Sequence, residues 1–132
     1  SGDCNIDVNC PLGVGWDNEI RSVAMIVVNG NGICTGALIN NTCNDGTPYF
    51  LTANHCLGGS TGSWAFRFNW ESPPGTESCA TTAGSTDPGP PYDQTANGAT
   101  ILTNSSASDY ALLEINNMTL SDAQSWNCFF AG

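Results

Sequence analysis

Lysine is missing altogether from the 132-residue sequence, and the basic complement is two arginines, Arg21 and Arg67, against twelve acidic side chains. The formal charge of −10 leaves nothing to neutralise phosphates, which excludes nucleic acid and, for the same reason, anionic membrane surfaces as partners. An acidic surface that favours solubility accounts for this balance. No apolar run approaches the roughly eighteen residues that a membrane-spanning helix requires. The first residues, Ser1-Gly2-Asp3-Cys4, show neither a basic nor an apolar leader segment, so any signal peptide is expected to have been removed already. Histidine occurs once, at position 55, and there is no C-x-x-C pair. The short-spaced ligand sets of a zinc site are therefore absent, and neither a metal nor another cofactor is expected.

Cysteine, by contrast, is plentiful, with seven residues in the chain. Without a metal motif to explain them they point to an oxidising compartment, and so to a secreted protein held by disulfides. An odd count leaves at least one that is free, joined to another chain, or paired with a segment the sequence lacks. The 40% hydrophobic content is enough for a buried core in one domain.

Residues 1–21 read as an irregular, disulfide-tethered arm, with Cys4 and Cys10 bracketing Asn5 to Asn9, and with Pro11, Gly13 and Gly15 discouraging helix. From 22 to 132 the pattern is one of short strands. Residues 22–28 and 32–41 flank Asn29-Gly30-Asn31-Gly32, a strong hairpin signal. Residues 48–53 form a strand that runs into His55. Residues 63–70 alternate, with Trp64, Phe66, Phe68 and Trp70 on one face and Ser63, Ala65, Arg67 and Asn69 on the other, so one side of that strand is buried. Residues 77–83 are a possible strand carrying Cys79, residues 84–98 a polar loop, and residues 99–103 and 110–115 further strands; residues 116–132 carry no clear pattern. Six or seven short strands with frequent turns predict an all-β fold, an antiparallel barrel or sandwich.

A lone histidine usually has no catalytic part, but the context of His55 is unusual. It sits where a strand breaks, and Cys56 beside it would pin the turn if it pairs with Cys34, 22 residues earlier, a closure worth about 3 kcal/mol. A catalytic imidazole also needs a carboxylate to fix its tautomer. Asp109, opening the apolar run Tyr110 to Ile115 that would carry it inward, is the best candidate. Gly58-Gly59-Ser60-Thr61-Gly62 matches the G-x-S-x-G elbow of α/β-hydrolases, but that motif needs a strand before it, a helix after it, and a histidine later in the chain. Ser60 follows a turn, leads into an alternating strand, and comes after the only histidine. Nothing singles out a glycosidase pair among the carboxylates.

The ordered set Cys34-Thr35-Gly36-Ala37-Leu38-Ile39, Thr52-Ala53-Asn54-His55-Cys56 and Ser108-Asp109-Tyr110-Ala111-Leu112-Leu113-Glu114-Ile115 resembles a trypsin-like serine protease. Cys4-Asn5-Ile6-Asp7-Val8, Leu38 to Thr42, Tyr49 to Ala53 and Leu112 to Asn117 are similar to the secreted bacterial lysyl endopeptidases, and the similarity covers most of the chain. The resemblance implies two antiparallel β-barrels with the site between them, His55 as base, Asp109 as orienting acid, and cleavage of polypeptides after Lys or Lys/Arg. The nucleophilic serine, the oxyanion amides and the specificity pocket would all lie in the second barrel, and none is in this sequence. After Asp109 the only serines are Ser121 and Ser125, neither in a glycine-flanked turn.

Residues 22–132 are accordingly expected to be the first barrel. It would be inactive until joined by a C-terminal protease barrel on a separate, nicked or omitted chain. The resemblance also implies disulfides Cys34–Cys56 and Cys10–Cys79, with Cys4 bonded into the other half. Cys43 and Cys128 are extra to that pattern and are candidates to bridge each other. Two other classes fit the same residues: a secreted β-barrel that binds without cleaving, and a stapled structural module of the cell envelope. The latter gains from the sequons at Asn40, Asn104 and Asn117 if the source is eukaryotic.

Overall fold

Asn29 and Gly30 both adopt left-handed backbone conformations, with φ of 50° and 80°. Two consecutive residues of that kind make the tight turn whose twist suits a two-residue hairpin, and they join β1 (Val23–Val28) to β2 (Asn31–Ile39) with Val28 opposite Asn31. The computed structural model describes residues 8–71 and 92–132. Beyond the hairpin the chain forms β3 (Tyr49–Thr52), β4 (Ala65–Phe68), β5 (Thr95–Asn97), β6 (Ala99–Ser105) and β7 (Tyr110–Ile115), with short helices α1 (Asp17–Ser22) and α2 (Leu120–Ser125). All the named strand pairings are antiparallel, in one seven-stranded sheet of order β5-β4-β1-β2-β3-β7-β6.

The two marginal strands of that sheet, β5 and β6, are consecutive in the chain and separated by Gly98 alone. A flat sheet would hold them at opposite edges, so the sheet has to curl until they meet at a corner, and the result is a curled half-barrel of the predicted all-β class. Gly98 has φ +73°, and a Cβ there would stand 3.1 Å from the carbonyl oxygen of Gly62. Its N–H donates to the Trp64 carbonyl at 2.8 Å and its own carbonyl accepts from Asn116 N–H at 2.9 Å. The corner is thereby stitched to both flanks.

Inside the curl lie Ala24, Ile26, Leu38, Phe50, Trp64, Phe66, Phe68, Leu113 and Ile115, all buried. The alternation along 63–70 places Trp64, Phe66 and Phe68 inward as expected, but Trp70, expected on the same face, follows Asn69 at φ 49° and packs outside the core against Arg67 and Tyr92; the Phe50 and Phe66 rings meet edge to face with centroids 5.0 Å apart. On the outer side of β4 the Arg67 guanidinium lies 3.6 Å over the Tyr92 ring and 5.2 Å from that of Trp70, a cation–π stack.

Gly36, in the Cys34-Thr35-Gly36-Ala37 stretch of β2, has no room for a side chain beside β3. A Cβ there would collide with the Phe50 ring and come within 2.5 Å of the Leu51 carbonyl oxygen. Neither a buried ring nor a ladder carbonyl can retreat cheaply. Gly36→Ala is expected to cost about 2–3 kcal/mol and lower the melting temperature by about 8–12 °C. Thermal unfolding followed by far-UV circular dichroism would check it, and an unchanged midpoint would contradict this packing.

Three further expectations are corrected. The arm is not irregular to residue 21: Pro11–Gly13 form one short 3-10 turn, Gly15 (φ +92°) breaks the chain after it, and α1 follows at Asp17 with Asp17 and Glu19 in its first turn and Arg21 in its last, each sign matching the helix dipole. The polar loop 84–98 ends in a strand, because Thr95 to Asn97 pair with β4. The unpatterned stretch 116–132 contains α2, started by Thr119 and Asp122 capping each other's backbone. The possible strand at 77–83 lies outside the described residues.

Candidate active site

β3 ends at Thr52, a buried residue whose hydroxyl donates to the Thr35 carbonyl at 2.8 Å. The chain then turns through one tight helical turn, Asn54–Cys56, closed by Cys56 N–H to Ala53 carbonyl and Leu57 N–H to Asn54 carbonyl. His55 is the middle residue of that turn. A disulfide from Cys56 to Cys34 on β2, with Cα atoms 6.1 Å apart, fixes the far side of the turn to the sheet. This is the pin that residues 34 and 56 suggested.

β7 is the neighbour of β3, with Thr52 opposite Ala111, so the residue that enters β7 arrives beside the His55 turn. That residue is Asp109. One carboxylate oxygen, Oδ2, lies 2.7 Å from His55 Nδ1, and the other, Oδ1, accepts the His55 backbone N–H at 2.9 Å. The side-chain hydrogen bond from His55 is the main reason the Asp109 carboxyl is held below its ordinary range, followed by the His55 backbone N–H; the imidazole's charge and the Asn54 backbone N–H add to it. An ionised carboxylate can only accept. Nδ1 therefore carries the hydrogen, and in a neutral imidazole Nε2 is left with its lone pair. Sequence separation brings nothing to this meeting, for the two residues are 54 positions apart; the β3–β7 pairing does.

The carboxylate is not buried as expected. The His55 and Asp109 side chains are 71% and 50% exposed. Alternation along β7 points residues 111, 113 and 115 inward and would take 109 with them, but Asp109 has φ +49°. That left-handed kink lifts it out of the strand into the rim turn. The pair therefore lies open on the rim. A cavity of about 320 Å3, lined by Glu19, Val23, Met25, Thr35 and Arg67 among others, does not include it.

A family model described as "Lysyl endopeptidase, C-terminal domain" matches residues 1–132. The chain belongs to that family. In this lysyl endopeptidase domain Cys34, His55 and Cys56 bring ligand-type atoms within 4.8 Å of one another, but the two sulfurs are bonded together. Neither is then the thiolate that a metal requires.

The remaining cysteines divide. Cys10 is disulfide-bonded; its expected partner Cys79, and Cys4 with its expected bond to another half, lie outside the described residues. The expected Cys43–Cys128 bridge is not formed, since both are free thiols. Cys43 stands exposed in the turn after β2, whereas Cys128 follows α2, its N–H held by the Ala123 carbonyl, and packs against the core. Burial pushes the Cys128 thiol up to about 11. At pH 8 about one molecule in a thousand then carries the thiolate, the reactive form. Iodoacetamide at pH 8 without reductant is expected to modify Cys43 in the native protein while Cys128 stays largely unmodified, and denaturant should make both react. Peptide mass mapping distinguishes them, and resistance of both in denaturant would restore the bridge.

Sequence pattern does not single out Asn54 or Asn104. Asn104 Nδ2 donates to Asn54 Oδ1 at 2.7 Å beside the pair. The signal at Asn54 is that it adjoins the histidine, and Asn104 carries none beyond a sequon.

Proposed function

We propose that this domain is the His- and Asp-bearing half of a secreted serine endopeptidase cleaving after Lys or Lys/Arg, with the nucleophilic serine on a second barrel. The reading rests on one observation: an imidazole whose Nδ1 is held by a carboxylate at 2.7 Å, on a disulfide-pinned turn, in a chain of the lysyl endopeptidase family. Nε2 of neutral His55 takes the proton from the serine hydroxyl as its oxygen attacks the scissile carbonyl. The imidazolium so formed is stabilised by Asp109 and returns the proton to the leaving amine. Backbone amides of the other barrel stabilise the oxyanion. The openness of the pair supports a second body seated against this rim, which would exclude water and complete a substrate cleft. Cys4 is the residue proposed to tether that body.

Fluorophosphonate labelling of the purified protein, read on denaturing gels with and without reductant, tests this. The label is expected on a partner polypeptide that separates from this chain on reduction, and to be lost in His55→Ala. Label borne by the 132-residue chain itself, or labelling that survives His55→Ala, would overturn the assignment. The competing reading, a protease-derived barrel that binds without cleaving, draws on the absence of any glycine-flanked serine after Asp109. It predicts no label on any polypeptide.

A further inference from the structure

His55 and Asp109 sit on two separate rim segments, and neither is held by burial. The ring is 71% exposed and the carboxylate 50% exposed, so close packing does not fix the imidazole's direction as it fixes core side chains. Polar and covalent ties must set it. On the Cys56 side of the turn the tie is the disulfide to β2. On the Asn54 side it is the hydrogen bond from Asn104, at 2.7 Å across 50 residues of sequence.

Asn104 stands on β6 directly opposite Ala111 of β7, and Ala111 in turn is opposite Thr52 of β3. Its amide thus reaches from the outer strand of the β6–β7 hairpin, past β7, to the turn that begins two residues after Thr52. The same hairpin carries Asp109 at its tip, where the Ser108 N–H donates to Ser105 Oγ at 3.3 Å. The other hydrogen bonds between the two segments, from the His55 ring and from the backbone N–H groups of His55 and Asn54, all end on the Asp109 carboxylate. The Asn104–Asn54 bond joins them independently of that carboxylate.

Links at two separated points restrict rotation between the segments in a way that links converging on one carboxylate do not. Freed from the Asn104 side, the Asn54 end of the His55 turn would be held by backbone bonds to the Asp109 carboxylate alone, while the disulfide anchors only the Cys56 end. The backbone N–H and Nδ1 of His55 would then no longer be kept on the two carboxylate oxygens together, as they are now at 2.9 and 2.7 Å.

We infer that Asn104 is a positioning residue, acting through Asn54 to hold the His55 turn against Asp109. The inference rests on the proposed His–Asp pairing. It assigns Asn104 no contact with substrate.

The single histidine makes the test direct, because one imidazole signal reports on the pair. In the full chain at low temperature, the His55 Nδ1 proton is expected at low field, slowed in exchange by its bond to Asp109. Asn104→Ala and Asn54→Ala should each accelerate its exchange by at least tenfold or broaden it away. The double variant should go no further than either single one, as two halves of one contact must. Asn104→Gln, which keeps an amide donor, should recover part of the protection. Circular dichroism checks that each variant is folded, and should Asn104→Ala fail to fold, Asn54→Ala carries the same test from the acceptor side.

Asp109→Asn separates the two levels of inference. If the proton is absent from the unsubstituted chain or survives Asp109→Asn, the His–Asp pairing itself is wrong. If Asp109→Asn abolishes it while Asn104→Ala and Asn54→Ala leave its exchange unchanged, or if the double variant is clearly additive, the positioning role is overturned and the pairing stands.

Discussion

Asp109→Asn, made in the proposed protease assembled from this chain and a serine-bearing barrel, is expected to lower kcat about ten-thousandfold while KM changes little. Asparagine keeps the size and can still accept the His55 backbone N–H, so the rim turn should survive. What changes is the group facing Nδ1, which becomes an amide NH2. The neutral ring then places its lone pair on Nδ1 and its hydrogen on Nε2, the nitrogen proposed to take the serine proton. A loss below about a hundredfold would show that Asp109 does not set the tautomer. The acid dependence carries a matching sign. Because the bonds from His55 hold the Asp109 carboxyl below its ordinary range, its contribution to stability is present above the unfolded aspartate value of about 3.9. It is lost only as pH falls through the lower, folded value. The Nδ1 proton signal should accordingly persist on acidification past pH 4, and its collapse at or above that pH would contradict the direction of the shift.

Phe50→Ala is expected to cost about 4 kcal/mol, roughly 15 °C in melting temperature, the largest stability loss proposed for the domain. Phe50 is fully buried, meets Phe66 edge to face, and lies against β2 at Gly36. Truncation leaves a ring-sized void between rigid strands that cannot close upon it. Phe50→Leu, which refills much of that volume, should cost only about 1 kcal/mol. Because Phe50 is opposite Leu113 and two residues before Thr52, the void also lies at the base of the β3–β7 pairing that brings His55 to Asp109. Urea titration of both variants with the disulfides intact would check the ordering. Equal losses for alanine and leucine would mean that the ring packs against nothing specific.

Much of this arrangement could be read from short-range pattern. The Asn29-Gly30 turn declares its hairpin because few residues tolerate two successive left-handed conformations, and the aromatic alternation of 64, 66 and 68 declares an inward face. The tight turn at His55 and the strand at Tyr110 follow from motif and periodicity. What could not be read depends on backbone events that periodicity does not carry. The kink at Asp109 reverses the phase that β7 would impose and brings an apparently buried carboxylate to the surface. Thr95 to Asn97 are too few to show a period and become a strand only because β4 offers them an edge. Cys43 and Cys128 are leftover in sequence, but one is kept at the surface by its turn and the other is drawn to the core after α2. The Asn104–Asn54 link depends on strand register, which no local pattern reports.

The corner at Gly98 has a mechanical consequence. A single residue there carries the chain from one margin of the sheet to the other, so the radius of the curl is set by covalent connection as well as by side-chain packing. Severing the backbone at that point would leave every ladder bond in place yet free the two margins to separate, and the molecule would register the cut as a widening long before it lost a strand.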